Sequence, residues 1–254
     1  ITIDKTAVID PSAKIANNVH IGPYSVIGAN VEIGEGTWIG PHVVINGPTI
    51  IGRENKIYQF ASVGGDSQDK KFHDPKALLK VGDRNVVREF CTINRGTSDV
   101  MITQIGNDNL FMAYVHIAHD CIVGNHTIFA NNASLAGHVT VEDHVILSGF
   151  SGVFQFCRVG AYSFATTNSV IIKDVPPFMK VSGYYAKPYG LNTVGLQRHG
   201  FTAEAQMQLR RAYKVIYRKG LTVAQAIAEL ANFDCPRVAE LAQFIQSSTA
   251  GIVR

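Results

Sequence analysis

The sequence has few of the features that mark a disulfide-stapled, membrane-spanning or nucleic-acid-binding protein. Its four cysteines, Cys91, Cys121, Cys157 and Cys235, have neither paired spacing nor the spacing of zinc ligands. No run of 18 or more apolar residues occurs, so we expect no membrane-spanning helix. The N-terminus lacks the charged-then-apolar pattern of a signal peptide, which predicts a cytoplasmic location. A net charge of +3 is too small to indicate a nucleic-acid partner.

Charge is distributed unevenly along the chain. Residues 1–185 carry 14 Lys and Arg against 16 Asp and Glu, whereas residues 186–254 carry nine against four. The first part is therefore close to neutral at −2, and the second part carries +5. A basic C-terminal segment on a nearly neutral body predicts an acidic partner that docks there.

A six-residue repeat dominates the first 175 residues. Of the 29 positions found at every sixth residue from Ile3 to Ile171, 25 are Val, Ile, Leu or Phe. The exceptions are Asp69, Pro75, Asp99 and Ala165. Neither the helical period of 3.6 residues nor the alternation of a half-buried strand explains this pattern.

A period of six predicts a mainly β protein, built as a parallel β-helix in which three hexapeptides form one triangular coil. A second column of mostly small residues follows four positions after each aliphatic residue, and Cys91, Cys121 and Cys157 fall in it. These thiols are therefore expected to be buried as small hydrophobic groups. About ten coils at the usual strand spacing give a prism on the order of 45–50 Å long, stabilised by contacts between neighbouring coils.

Two interruptions of the repeat predict loops that leave the prism. Residues 65–80 are polar and contain a proline where an aliphatic residue is due, and residues 97–104 form a shorter excursion. Long loops on a rigid scaffold are common places for binding residues.

The repeat ends at Pro176 and Pro177, and helical periodicity begins near Phe201. Helices are expected from a cap at Thr202 to about Lys219, from Thr222 onward and from near Pro236, because each of these positions carries a helix start signal. The chain should therefore comprise a β-helix over residues 1–185 and a small α-helical domain over residues 186–254.

A basic stripe lies on the first of these helices. Arg210, Lys214 and Arg218 follow one another at intervals of four residues, opposite an apolar side. That apolar side comprises Leu209, Ala212, Tyr213 and Ile216. Spacing alone favours a solvated helix face for the three cations.

Candidate chemistry is concentrated in the segment from Ala113 to Ile122, which contains the string HIAHDC. His119 is third in its hexapeptide and should point outward. One coil of 18 residues later comes Gly137, and one further coil brings Gln155. An imidazole, an unobstructed backbone amide and a polar side chain then line one groove as candidate base, oxyanion donor and anchor. Because a filled prism has no cleft, we expect each site to lie between two prisms of a trimer.

Most histidines on a turn-rich prism are expected to be inert surface residues. A metal site is a second alternative to a catalytic role for His116 and His119. Some hexapeptide prisms hold zinc with three histidines. The spacing of His116 and His119 does not bring their rings together on a strand, so we expect no metal.

The repeat and several specific strings resemble the UDP-N-acetylglucosamine O-acyltransferase family, over nearly the whole chain. The strings are YQFASVG, HIAHDC, ANNASLAGHV, QFCRVGA, DVPPF, RAYKVIYR and STAGIVR. The resemblance implies a left-handed β-helix that transfers an (R)-3-hydroxyacyl chain from acyl carrier protein to the 3-hydroxyl of UDP-N-acetylglucosamine, at the start of lipid A synthesis. It further implies direct attack on the thioester, with no cofactor and no metal.

The resemblance also assigns roles to residues. His119 would be the general base, Asp120 would orient it, and the Gly137 amide would stabilise the oxyanion. Thr167 would stand at the position that limits acyl length. The acidic carrier protein would dock on Arg210, Lys214 and Arg218. The remaining residues would bind the sugar nucleotide: Gln68, Asp69, Lys71, His116, His138, Gln155, Asn192 and Arg198.

The chain departs from the family pattern at a few places. Phe154 precedes Gln155 where histidine is common, His199 follows Arg198 where arginine is common, and the acidic residue expected near Val194 is missing. Threonine in place of glycine at position 167 shortens the space for an acyl chain, so we expect a preference for shorter donors than those of glycine-bearing relatives.

Other functions remain possible at the level of sequence. A related N-acyltransferase of the same pathway normally has an extra N-terminal domain, and here the repeat begins at Ile3. A coenzyme A-dependent acetyltransferase fits poorly with the basic helical tail. A zinc carbonic anhydrase would contain metal, and an ice-binding β-helix would show flat threonine columns. The acceptor atom, a 3-hydroxyl or a 3-amino group, is not fixed by the sequence.

Overall fold

Short strands joined by tight turns form the first three-quarters of the chain. The computed structural model describes residues 1–70, 76–97 and 100–254. The first 26 strands are β1 (Thr2–Ile3), β2 (Val8–Ile9), β3 (Lys14–Ile15), β4 (His20–Ile21), β5 (Val26–Ile27), β6 (Val31–Ile33), β7 (Trp38–Ile39), β8 (Val44–Ile45), β9 (Thr49–Ile51), β10 (Lys56–Ile57), β11 (Ser62–Gly65), β12 (Leu78–Val81), β13 (Val86–Val87), β14 (Thr92–Asn94), β15 (Ile102–Ile105), β16 (Leu110–Phe111), β17 (His116–Ile117), β18 (Ile122–Val123), β19 (Ile128–Phe129), β20 (Ser134–Leu135), β21 (Thr140–Val141), β22 (Ile146–Leu147), β23 (Gly152–Val153), β24 (Arg158–Val159), β25 (Phe164–Ala165) and β26 (Val170–Ile171).

Every third strand belongs to the same sheet, which makes the chain a parallel β-helix. Sheet 1 contains β1, β4, β7 and so on to β25, sheet 2 runs from β2 to β26, and sheet 3 runs from β3 to β24. Between uninterrupted coils the paired residues are 18 apart, as in Thr2 with His20 and His116 with Ser134. The predicted triangular coil of three hexapeptides is confirmed.

The repeat residues point inward and form one continuous core. Ile21, Ile39 and Leu135 are completely buried, as are most repeat positions after the first coil, whereas Ile3 at the N-terminal end is 43% exposed. Ala165, an exception in the aliphatic pattern, is also buried at its repeat position. Burial of apolar side chains at roughly 25 cal/mol per Å² drives the stacking of coils, since strands of two residues have little stability alone.

The small-residue column is buried as predicted. Cys91 and Cys121 are fully covered, and their thiols lie 3.1 Å from the carbonyl oxygens of Met112 and Ala136. Burial raises the pKa of Cys91 to about 11 and that of Cys121 to about 12. All four cysteines are unpaired and buried.

A ladder of buried asparagines lines the turns from sheet 3 to sheet 1. Asn85 donates to the side-chain oxygen of Asn55 at 3.0 Å, and the backbone amide of Asn109 donates to Asn85 at 3.0 Å. Thr127 continues the ladder by donating to the side-chain oxygen of Asn109. Each side chain satisfies a turn amide of the adjacent coil, because buried backbone groups need partners.

The prism ends in a β-hairpin against a helical domain. Strand β27 (Met179–Ser182) pairs in parallel with β25 and antiparallel with β28 (Lys187–Leu191), so the hairpin spans the boundary expected at residue 185. The helices are α1 (Thr193–Arg198), α2 (Ala203–Arg218), α3 (Val223–Leu230) and α4 (Pro236–Gln246). Among the described residues no helix combines the length and hydropathy that a bilayer crossing requires.

The three predicted helices are confirmed, with their caps. Thr202 accepts a hydrogen bond from the Ala205 amide, and Thr222 forms a capping box with Gln225. The apolar side predicted for α2 is buried. Helix α1 was not predicted, because its six residues are too few to show a helical period.

Candidate active site

The two long excursions and the HIAHDC segment lie along the same edge of the prism. We call the turns that lead from sheet 2 to sheet 3 the loop edge; they include residues 118–121 and 136–139. The first excursion joins β11 to β12 and the second joins β14 to β15, so both leave at this edge. Strand register places Gly137 one coil after His119 and Gln155 one coil after Gly137, as predicted.

His119 and Asp120 form a hydrogen-bonded pair although they are sequence neighbours. Nδ1 of His119 lies 2.9 Å from Oδ2 of Asp120. Adjacent residues of a strand face apart, but Asp120 stands in a turn with φ of +58°, in the left-handed region. This backbone conformation turns the carboxylate back toward the imidazole.

Asp120 is buried and fixed from three sides. Its carboxylate accepts hydrogen bonds from the backbone amide of Thr97 at 2.8 Å and from the hydroxyl of Thr97 at 2.5 Å. Its own amide donates to Oγ1 of Thr103 at 2.8 Å. Thr97 and Thr103 flank the second excursion, so that loop positions the acid of the pair.

The charge state of Asp120 decides the tautomer of His119. Burial by itself raises the pKa of Asp120, but hydrogen bonds from Thr97 and His119 and the nearby His138 hold it below its usual range. An ionised carboxylate only accepts hydrogen bonds, so Nδ1 of His119 carries the proton. Nε2 then presents a lone pair and makes no hydrogen bond within the described part of the chain.

Gly137 packs directly on the His119 ring. A Cβ at this glycine would lie 2.5 Å from Cε1 and 2.6 Å from Nε2 of His119, which no side chain tolerates. The neighbouring amide of His138 donates to the carbonyl of His119 at 3.0 Å, which holds the two turns together. The Gly137 amide itself donates to no group in the described residues, so it is free to bind a ligand oxygen.

His138, which the resemblance assigned to substrate binding, lies against both His119 and Asp120, and this three-residue cluster was not predicted. Its ring meets the His119 ring edge to face at 5.2 Å between centroids and stacks on Phe156 at 4.6 Å. Its Nε2 lies 3.6 Å from Oδ2 of Asp120. His119 and His138 are 19 residues apart, which is one coil of 18 residues plus one. This spacing could have indicated that the two rings lie close together.

His116 lies on the outer face of sheet 2 beside the loop edge. Its Nδ1 is 2.7 Å from the hydroxyl of Thr92. Burial first, and the proximity of His119 second, lower its pKa and favour the neutral imidazole. Strand register continues this outward row through Ser134, Gly152 and Val170.

The outward row from His116 has small residues at its centre. At Gly152 an added Cβ would meet no atom within 4 Å, so the chain itself gives no packing reason for glycine. Ser134 and Gly152 therefore form the floor of a shallow track along sheet 2, which leads away from the histidines toward the helical domain.

The first excursion reaches the same edge. Oδ2 of Asp69 lies 3.9 Å from Nε2 of His119, whereas the side chain of Gln68 is exposed. Lys71 falls outside the described residues. In the same loop Asp66 forms an ion pair with Arg95, a buried arginine that the sequence analysis did not single out. Gln155 is exposed on the loop edge.

Three predicted site residues lie elsewhere on the chain. Asn192 caps α1, accepting from Gly195 at 3.2 Å and donating to the carbonyl of Tyr162 at 2.9 Å. Arg198 lines a cavity of about 330 Å³ with Phe164 and Lys180 of sheet 1. Thr167 is exposed in the turn from sheet 1 to sheet 2. A single chain therefore does not bring these three residues to the loop edge.

The basic stripe on α2 is exposed and faces a groove. Arg210, Lys214 and Arg218 line a cavity of about 440 Å³ together with Tyr189 and Tyr213. None of the three cations forms an ion pair with a carboxylate of the described residues. Their charge is thus available to an external partner.

Two family models match the chain. The model described as bacterial transferase hexapeptide, six repeats, matches residues 1–35, 30–65 and 102–137. The model described as UDP N-acetylglucosamine O-acyltransferase, domain 2, matches residues 174–253.

Similar proteins match over full length. The acyl-(acyl-carrier-protein)–UDP-N-acetylglucosamine O-acyltransferase of Thiobacillus denitrificans is 56% identical over 256 residues, which is 100% of this chain and 99% of the relative. The enzyme of the same name from Pseudomonas savastanoi pv. phaseolicola is 55% identical and covers 99% of both chains.

Solved structures agree in fold. LpxA from Acinetobacter baumannii superposes with a TM-score of 0.98 at 46% identity, and UDP-N-acetylglucosamine O-acyltransferase (LpxA) from Moraxella catarrhalis with 0.97 at 44%. Each comparison covers 100% of both chains. The prism is accordingly a left-handed parallel β-helix, as the resemblance implied.

Proposed function

The chain belongs to the UDP-N-acetylglucosamine O-acyltransferase family and is an acyltransferase, and on that premise we propose how its residues carry out the reaction. An (R)-3-hydroxyacyl chain moves from acyl carrier protein to the 3-hydroxyl of UDP-N-acetylglucosamine, which opens lipid A synthesis. The observation that carries this proposal is the His119–Asp120 pair beside Gly137, whose amide has no hydrogen-bond partner in the described part of the chain.

His119 acts as the general base through Nε2. It accepts the proton of the sugar hydroxyl while the hydroxyl oxygen attacks the thioester carbonyl. Asp120, held ionised by Thr97, stabilises the imidazolium that forms. A thioester is already activated, so no acyl-enzyme is needed.

Gly137 stabilises the tetrahedral intermediate. The residue packs on the His119 ring and its amide has no acceptor among the described residues, so it can donate to the oxyanion. Collapse of the intermediate releases the thiolate of the carrier protein, which takes the proton from Nε2 of His119. The track of Ser134 and Gly152 on sheet 2 offers space for the acyl chain.

A homotrimer explains both the surface and the dispersed site residues. The turns from sheet 1 to sheet 2, which we call the aromatic edge, carry a stacked column of exposed rings: Tyr24, His42, Phe60, Phe90 and Tyr114. Sheet 1 presents Ile128 and Phe164 outward on one side of this edge, and sheet 2 presents Val8 and Val26 on the other. Sheet 3 is more polar, with Lys14, Glu32, Lys80 and Gln104 facing out.

Cyclic assembly buries two different faces of each chain against each other. With the aromatic edge near the axis, sheet 2 of one chain packs on sheet 1 of the next. The loop edge with His119 then faces the region of the neighbour's sheet 1 that contains Asn192 and Arg198. Each active site would take its base from one chain and Arg198 from the partner subunit.

The sugar nucleotide is held across this seam. We assign Gln68, Asp69, Lys71, His116, His138 and Gln155 to the chain that supplies His119. Asn192 and Arg198 contribute from the partner subunit. The side-chain oxygen of Asn192 caps α1, and its side-chain nitrogen donates to the Tyr162 carbonyl. Asn192 therefore supports nucleotide binding by fixing the position of α1 as well as by direct contact.

The acidic carrier protein docks on Arg210, Lys214 and Arg218. These three cations have no carboxylate partner within the described ranges, lie beside the groove of Tyr189 and Tyr213, and supply the complementary charge. We assign the reaction to the cytoplasm, as the compartment in which acyl carrier protein and the nucleotide sugar are both present.

Mass spectrometry of the product tests the reaction. The protein is incubated with UDP-N-acetylglucosamine and 3-hydroxyacyl carrier proteins of several chain lengths. An O-acylated nucleotide sugar is the expected product, and it should be absent with the His119→Asn variant. Acylation of only a 3-amino analogue would identify a different acceptor, and no product with either acceptor would overturn the proposal.

Mixed trimers test the shared site. Co-expression of His119→Asn and Arg198→Ala chains should restore about a quarter of the active sites, because random mixing places both intact residues in one interface out of four. Each variant alone should be inactive or nearly so. Failure of the mixture to exceed the sum of the two variants, in particles shown by light scattering to be trimers, would contradict a site between subunits.

A further inference from the structure

The side chains of His119, Asp120 and His138 lie close together, although the proposed proton transfer uses only the contact between His119 and Asp120. Oδ2 of Asp120 lies 2.9 Å from Nδ1 of His119 and 3.6 Å from Nε2 of His138. One ligand atom from each of the three residues lies within 4.8 Å of the others. The two imidazole rings meet edge to face, with an interplanar angle of 88°.

These three groups form the ligand type of an open transition-metal site. Two histidines and one carboxylate with a free fourth position are a common set for zinc. Bond lengths of 2.0–2.1 Å in a tetrahedral site place the ligand atoms roughly 3.3 Å apart. The two distances to Asp120, 2.9 and 3.6 Å, bracket this value, and the two imidazoles offer nitrogens within 4.8 Å of each other, so side-chain rotation would seat an ion.

We propose that the cluster of His119, Asp120 and His138 binds one Zn²⁺ or similar divalent transition-metal ion per chain, and that this ion reversibly inhibits the acyl transfer. The inhibition rests on the proposed function, whereas the binding does not. The bound ion only inhibits the enzyme and takes no part in the acyl transfer.

The coordination geometry gives the mechanism of inhibition. The metal takes Nδ1 of His119, the nitrogen whose proton is donated to Asp120. That proton moves to Nε2, because a neutral imidazole bound through one nitrogen carries its proton on the other. Nε2 then has no lone pair to accept the proton of the sugar hydroxyl, and Asp120 is occupied by the metal. No net proton is released from His119 in this exchange.

Binding is tested on the full-length protein without substrates. Calorimetric titration with ZnCl₂ of chelator-treated protein should give one site per chain, and Co²⁺ should give the visible absorption of a tetrahedral N,O-ligated ion. The test variant is His138→Asn, since asparagine tolerates the left-handed backbone that His138 adopts at φ of +62°.

A matched control is available on the same chain. His126 also has a positive φ, of +56°, and its Nε2 lies 4.0 Å from Asp108. We expect His138→Asn to weaken zinc binding more than about 100-fold, since even indirect partners of a metal are worth 10- to 100-fold. His126→Asn should leave the dissociation constant within about threefold.

Equal zinc affinity of the wild-type and His138→Asn proteins, or the absence of a stoichiometric site, would overturn the metal site. If zinc binds there but acyl transfer by the wild type is insensitive to saturating zinc, the inhibitory role is wrong. Failure of the acyl-transfer assay itself would concern the proposed function and leave the binding result unaffected.

Discussion

The ring of His119 occupies the space in which a side chain at Gly137 would begin. A Cβ at Gly137 would lie 2.5 Å from Cε1 of His119, although the two residues are 18 positions apart. The base and the oxyanion donor are therefore positioned by direct contact. A change at one necessarily moves the other.

Gly137→Ala should inactivate the enzyme without unfolding it. The added methyl group must push the His119 ring off the turn, which breaks its hydrogen bond to Asp120 and misaligns Nε2. We expect kcat to fall by about 10²- to 10³-fold, the usual cost of losing an oxyanion donor or a positioned base.

Steady-state kinetics and thermal unfolding check this prediction. Gly152→Ala is the matched control for folding, since its Cβ meets no atom of the chain within 4 Å. A Gly137→Ala protein with normal kcat would contradict the assigned contact.

Asp120→Asn should retain the fold and lose activity. The amide no longer stabilises the imidazolium, and its nitrogen faces the donors of Thr97. Loss of the equivalent carboxylate in other histidine-based sites costs up to about 10⁴-fold in kcat. Thr97→Val, which removes only one hydrogen bond to the carboxylate, should cause a smaller loss. A pH–rate profile of each variant distinguishes a change in the base from a change in substrate affinity.

His116 makes the folded protein sensitive to mild acid. Burial, and secondly His119, lower the pKa of His116 from 6.5. Below pH 6.5 the imidazole of His116 is protonated in the unfolded chain but stays neutral in the folded chain. The free energy of unfolding therefore falls as the pH drops from 6.5 toward the folded-state pKa.

His116→Gln should flatten this part of the stability profile. Urea unfolding at a series of pH values measures it, and His126→Gln, at an exposed histidine, serves as the control. Identical slopes for wild type and His116→Gln would show that His116 is not the titrating group.

Thr167→Gly should shift the preferred acyl donor to longer chains. The threonine lies in the turn that leads into Val170, at the far end of the track along sheet 2. Each methylene that gains a buried position is worth roughly 0.8 kcal/mol, or about fourfold in kcat/KM. Competition among carrier proteins of different acyl lengths measures the shift, with Thr140→Gly on sheet 3 as the control. An unchanged preference would remove Thr167 from the acyl-binding surface.

Charge reversal on α2 should weaken carrier-protein binding. Arg210→Glu is expected to raise KM for the acyl carrier protein and to reduce its dependence on salt, because rim charges act mainly on association. KM for the sugar nucleotide should not change. Arg237→Glu, on α4 and paired with Glu240 in the wild type, is the control. Equal effects of the two substitutions would argue against a specific docking surface.

The sequence predicts the prism well because each coil obeys one local rule. Inward positions such as Ile21, Ile117 and Leu135 need only be large and apolar, and 25 of 29 positions satisfy this. The 18-residue period then places Gly137 over His119 without further information.

The remainder of the site depends on backbone turns and distant chain segments. The resemblance implied that Asp120 orients His119, but the spacing of the residues could not show how, because the contact requires a positive φ at a non-glycine residue. It did not predict the role of Thr97, which reaches Asp120 from the end of a loop. The location of Arg198 against sheet 1 follows from the docking of the helical domain, which no repeat encodes.

Both excursions leave the prism at the edge that carries His119, and the inward column resumes in register at Val81 and Ile105 after them. Chain can thus be inserted or exchanged at this edge without disturbing the solenoid. The imidazole, its carboxylate and the oxyanion donor are anchored to coils of constant length, whereas the appendages can diverge with the substrate as long as Thr97 and Thr103 keep their hydrogen bonds to Asp120.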